Sequence, residues 1–107
     1  MKQQTEYSLS IGLNRPNNSP LTPEEGLKVV CAELTQAGII GFSVGLNTGY
    51  WQGQPEQSLN VTFINTFSGV TLRKIKQVVE YLRVIMGQDS ILLSRRPVSF
   101  EFVEVKK

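Results

Sequence analysis

A chain of 107 residues with 40% hydrophobic side chains is long enough to bury one core and too short for two. Its 11 basic and 9 acidic residues leave a net charge of +2, far from the balance of a protein that coats nucleic acid. It has no histidine, which removes the central group of Ser-His-Asp and Cys-His hydrolases, His-containing zinc sites and imidazole acid–base catalysis.

The expectation is a single domain over residues 1–107, with no metal site and no cofactor. The lone Cys31 cannot close an internal disulfide, and its position on the apolar side of an expected helix reads as a buried, inert thiol. No apolar run approaches the roughly 18–20 residues of a membrane span, so a soluble, cytoplasmic protein is expected.

Tyr7, Leu9, Ile11 and Leu13 alternate with Ser8, Ser10 and Gly12, the period-two pattern of a strand with one apolar face. Thr22-Pro23-Glu24-Glu25 then places an N-cap threonine, a proline at the first helical position and a glutamate three residues past the cap. A first helix is therefore expected from Pro23 to about Ala37. Leu27, Val30, Cys31 and Leu34 should face the core, with Gly38 just past the end.

Ile40, Phe42, Val44 and Leu46 mark a second strand, and Leu59, Val61 and Phe63 a third. Between them the stretch Thr48 to Gln57 reads as a hairpin loop holding the one tryptophan, Trp51. Ile75, Val78, Val79, Leu82, Ile85 and Met86 form the apolar stripe of a second helix, from about Thr71 to Met86 and stopped by Gly87. Ser90–Ser94 reads as a short strand, Arg95-Arg96-Pro97 as a bend, and Val98–Val105 as a strand with Val98, Phe100 and Phe102 inward. The tail either continues the fourth strand or folds back as a fifth.

The order strand-helix-strand-strand-helix-strand is that of an α+β, ferredoxin-like βαββαβ sandwich: one antiparallel sheet with two helices on one face and a possible extra C-terminal strand. In an RNA-recognition domain of this topology, aromatic side chains stand on the outward face of the first and third strands. Here those positions are Ser8, Ser10, Asn60, Thr62 and Ile64, so nucleic acid is not an expected partner. A face this small and polar could instead pack against a second copy, giving a homodimer or another homo-oligomer. The basic stripe Arg73, Lys76 and Arg83 reads as a solvated helix face.

Chain direction brings three loops to one pole: the end of the first strand, the hairpin, and the turn after the second helix. The candidate ligand-binding residues there are Arg15, Tyr50, Trp51, Gln52, Glu56, Gln88 and Asp89. The N-terminus of the first helix, with Arg15, could hold a carboxylate or phosphate, with Trp51 as a flat wall. Glu56 and Asp89 could form a carboxylate pair for acid–base work. The plainer alternative is that Trp51 and Tyr50 cap the core, Arg15 pairs with Glu56 or Asp89, and the glutamines are solvated.

The segments Glu6–Pro16, the Gly-Tyr-Trp loop, and Gly87-Gln88-Asp89-Ser90-Ile91-Leu92 resemble, in order and spacing, a bacterial family of small ferredoxin-like proteins known only as a domain of unknown function. The shared features are a strand followed by Arg15-Pro16, a Gly-x-Trp hairpin at Gly49–Trp51 and a Gly-Gln-acid-Ser turn at Gly87–Ser90. The chain departs from the family at Pro55-Glu56-Gln57-Ser58, where members carry a basic residue. The resemblance implies the fold and the pole and supplies no reaction.

The expected function is thus an uncharacterised small binding protein, without catalysis, that recognises a small anionic ligand or a peptide at the three-loop pole. One alternative is a small carboxylate-dependent enzyme acting on a phosphate or carboxylate substrate. Another is a protein-interaction inhibitor or adaptor.

Overall fold

The computed structural model describes residues 2–16, 18–64 and 69–105. Strand β1 (Lys2–Gly12), helix α1 (Pro23–Gln36), strands β2 (Ser43–Trp51) and β3 (Gln54–Ile64), helix α2 (Leu72–Ile85) and strand β4 (Leu92–Phe100) follow in that order. The strands form one antiparallel sheet in the order β2-β3-β1-β4, which with the two helices makes the ferredoxin-like βαββαβ fold.

Alternation along the strands divides the sheet into two faces. Leu9 and Ile11 of β1 and Leu59, Val61 and Phe63 of β3 are buried with Val30 and Leu34 of α1 and Ile75, Val78 and Leu82 of α2. Each such aliphatic side chain removed from water stabilises the fold by about 1.5–3 kcal/mol before its lost rotamer entropy is counted. Tyr7 and Phe63, paired across β1 and β3, stack with ring centroids 5.3 Å apart. The other face carries Ser8, Ser10 and Gly12 beside Asn60, Thr62 and Ser58, all half-buried.

Both helices are bounded by local chemistry. Thr22 Oγ1 accepts from the Glu25 amide at 3.1 Å while the Glu25 carboxylate accepts from the Thr22 amide at 3.3 Å, the reciprocal capping box. After α2 the chain turns at Gly87, whose φ of +64° suits glycine. There the Gln88 amide donates to the Arg83 carbonyl at 2.9 Å and the Gly87 amide to the Val84 carbonyl at 3.1 Å, the pair of bonds that closes a Schellman motif.

Several expectations are corrected. Thr48–Gln57 is a zipped hairpin rather than an open loop: β2 and β3 pair out to Trp51 and Gln54, joined by Gln52 and Gly53, both with positive φ as the tight primed hairpin turns require. The expected break at Arg95-Arg96-Pro97 is absent, because β4 is an edge strand and a proline costs no ladder bond where its nitrogen faces away from the neighbour. Residues 101–105 form no fifth strand. Val98 pairs with Gln4 and Phe100 with Lys2, which puts both on the face of Ser8 and Ser10, opposite the helices. Leu27 is 42% exposed, on the rim of α1, and Cys31 is half-buried.

The sheet is staggered. Pairing of β1 with β3 runs only from Glu6 to Gly12, so the hairpin projects past the end of β1 at one pole, and the start of β1 projects with the end of β4 at the other. The molecule measures 53 × 27 × 24 Å as a result.

Candidate functional site

Where the hairpin overhangs the end of β1, the outer sheet face becomes a groove of about 660 Å³, within the usual range for small-molecule sites. Its floor crosses three neighbouring strands on small side chains: Gly49 of β2, Ser58 of β3, Ser10 and Gly12 of β1. Two exposed apolar side chains stand at its flanks, Trp51 on the hairpin and Leu92 at the start of β4, 72% and 67% accessible. Apolar groups left this open beside a polar floor are what a ligand's flat face would cover.

Of the seven candidate residues, Arg15, Tyr50, Trp51, Glu56, Gln88 and Asp89 all line this groove. Gln52 does not; it occupies the hairpin turn beyond it. Arg15 is set by its surroundings: its aliphatic carbons lie where a Cβ on Gly87 would sit 3.3 Å away, and its Nε donates to the Ser19 carbonyl at 2.8 Å. The anticipated ion pair from Arg15 to Glu56 or Asp89 is not formed among the described residues.

The N-terminus of α1 contributes nothing to the groove. None of its residues lines the groove, the Thr22 and Glu25 amides are engaged in the capping box, Pro23 has no N–H, and its first turn carries Glu24 and Glu25. An anion seated on that helix end is therefore not supported.

Gln88 is the most informative side chain. It is the one buried polar residue among the described residues, 8% exposed, and not the solvated group the sequence allowed. Its Nε2 donates to the Asn14 carbonyl at 2.7 Å and to the Met86 carbonyl at 3.2 Å. Since both partners are acceptors, the amide cannot be reversed, and Oε1 is held toward the groove.

There it meets Glu56: a Cβ built on Gly12 would lie 2.5 Å from Glu56 Oε1 and 2.8 Å from Gln88 Oε1. Two acceptor oxygens thus converge over a glycine, and neither receives a hydrogen bond among the described residues. Gly12 is not among the site residues expected from the sequence. A glycine inside an otherwise regular strand is the signal that could have marked a close approach there.

Glu56 and Asp89 share the groove, so carboxylate chemistry remains geometrically open, while no group of three His, Cys, Asp or Glu side chains among the described residues is placed to hold a metal ion. A shallower depression along α2, lined by Arg73, Lys76 and Glu80, follows an exposed helix face. No described helix is long and apolar enough to cross a membrane.

No family model matches the chain, and no curated protein matches it in sequence. Solved structures do resemble it. A phage SAM lyase in its apo state is 20% identical over 95% of this chain and 94% of that one, with a TM-score of 0.67. Its complex with S-methyl-5'-thioadenosine is 19% identical over 94% and 93%, with a TM-score of 0.61. A DUF3240 family protein from Shewanella baltica is 9% identical over 98% and 100%, with a TM-score of 0.61. The PII-like protein CPII from Thiomonas intermedia, bound to ADP, AMP and bicarbonate, is 9% identical over 94% and 98%, with a TM-score of 0.56. At such identities the likeness establishes the fold, including its kinship in shape with a small domain of unknown function.

Proposed function

We propose that this chain is a small-ligand-binding protein whose groove at the hairpin pole takes an adenosine-bearing molecule. The observation that carries the reading is the buried Gln88, held by two carbonyls so that its free oxygen faces a groove flanked by exposed Trp51 and Leu92. An indole and an aliphatic group suit a flat base, and Arg15 offers a charge-assisted donor for a polar substituent. Support for an adenosine group comes from the structural neighbours, since S-methyl-5'-thioadenosine is bound by one and ADP and AMP by another.

The test is a thermal-shift titration with adenosine, S-methyl-5'-thioadenosine, AMP and ATP, repeated on Trp51→Ala. At least one of these should raise the Tm of the parent chain by mass action, and the rise should shrink in the variant. Equal rises in both proteins would exclude the groove as the site.

A second reading is favoured by the presence of both Glu56 and Asp89 in the groove: a carboxylate-dependent enzyme acting on such a ligand. Incubation with SAM followed by chromatography for S-methyl-5'-thioadenosine decides between binding and turnover. Self-association belongs to the same proposal, because among the described residues β2 and β4 are the edge strands with no partner on their outer side, and the sheet's outer face offers small side chains to a second copy.

A further inference from the structure

We infer that Glu56 and Gln88 form a clamp for the vicinal hydroxyls of a ribose, with Gly12 as the residue that makes room for it. The inference rests on the proposed adenosine-binding role and assigns to these two residues the part of the ligand they recognise.

The argument is one of unmet hydrogen-bonding capacity. Gln88 is more than nine-tenths buried, and its two amide hydrogens are assigned by the carbonyls of Asn14 and Met86. Its oxygen therefore has nothing to accept from within the described residues, and a buried polar group without a partner is costly. Glu56 Oε1 approaches the same point above Gly12, and it too accepts nothing there. Two acceptors facing one point repel a phosphate or carboxylate and call for a group with two donors.

A ribose supplies that in its 2′- and 3′-hydroxyls, which stand roughly 2.8 Å apart, the ordinary spacing of adjacent hydrogen-bonding oxygens. A carboxylate accepting from a ribose hydroxyl is also the arrangement by which dinucleotide-binding folds hold the sugar. The floor residues agree with this, since Ser10 and Ser58 add small hydroxyl groups and leave the space open. A protonated amine is the other donor-rich group that would satisfy two oxygens.

The experiment compares adenosine, 2′-deoxyadenosine, 3′-deoxyadenosine and 2′,3′-dideoxyadenosine by titration calorimetry on the parent chain and on Glu56→Gln. Each hydroxyl removed should weaken binding by roughly tenfold, because a buried acceptor is left unpaired. In Glu56→Gln the new amide can donate to Gln88 Oε1 and close the pair on itself. That variant should fold as the parent does, bind adenosine at least about tenfold more weakly, and discriminate little between adenosine and the dideoxy analogue.

If adenosine and its dideoxy analogue bind the parent equally well, the clamp is wrong while the adenosine site stands. If none of the four binds, the clamp and the reading beneath it both fall. Butylamine serves as the amine probe: competition with dideoxyadenosine, combined with indifference to the hydroxyls, would assign the two oxygens to an ammonium group and overturn the ribose assignment.

Discussion

Gln88 Nε2 donates to the Asn14 carbonyl at 2.7 Å, a bond between side chain and backbone that spans 74 positions of sequence and ties the end of β1 to the turn between α2 and β4. The Gln88 carbonyl in turn accepts from Arg83 Nη1 at 3.1 Å, so the turn is held from both sides. The groove owes its shape to this knot. The packing of Arg15 on Gly87 reinforces the same junction.

Replacing Gln88 with Ala should therefore destabilise the chain as well as open the groove. The Met86 carbonyl loses a donor in a buried setting and the Asn14 carbonyl in a half-buried one, a loss of about 1–3 kcal/mol. Urea unfolding monitored by circular dichroism checks it: the midpoint should fall with an unchanged slope. A midpoint equal to the parent's would mean the knot holds nothing together.

Gly87→Ala probes the same turn through the backbone. A φ of +64° and the contact with the Arg15 side chain both disfavour a Cβ, so the variant should lose about 1–2 kcal/mol. Thermal unfolding should show a lower Tm, and a Tm at or above the parent's would contradict the strained-turn account.

The capping box of α1 gives a pH dependence whose sign can be worked out. The Glu25 carboxyl is held below the usual carboxylate range, first by the hydrogen bond from Thr22 and then by the Thr22 amide. A pKa lowered in the folded state contributes stability that is present above the unfolded value and disappears as pH falls through the folded one. The stability difference between the parent and Glu25→Gln should thus be present near pH 7 and vanish in acid, below the ordinary titration of glutamate. A difference that stays constant down to pH 2 would show that Glu25 acts by some means other than its charge.

Core packing supplies a scale for these changes. Leu82 is fully buried between α2 and the sheet, so Leu82→Ala should cost about 2–5 kcal/mol, more than any change at the turn. Urea titration of all these variants side by side tests that ranking.

Much of this was legible in the chain because it depends on local periodicity. Leu9 and Ile11 alternate, Ile75, Val78 and Leu82 recur at helical spacing, and Thr22-Pro23-Glu24-Glu25 carries its cap within four residues, so the elements and their order follow. The hairpin was harder, since Gly49, Gly53 and Pro55 read as loop residues until cross-strand pairing decides otherwise. Pro97 misled for the same reason: whether a proline breaks a strand depends on which edge it faces, and that is a property of the sheet.

At the site, chain direction alone brings Arg15, Trp51, Glu56 and Asp89 to one pole. The burial of Gln88 and the space above Gly12 were not legible, because both arise from how distant segments fit together. Val98 and Phe100 show the same limit, as alternation separates two faces without saying which one the helices cover.

The most direct test of the account is a nuclear magnetic resonance titration of the assigned backbone amides with adenosine. The groove account predicts shifts confined to Ser10–Arg15, Gly49–Ser58 and Gln88–Leu92. Shifts centred on Arg73–Glu80 of α2, or none at any concentration, would contradict it.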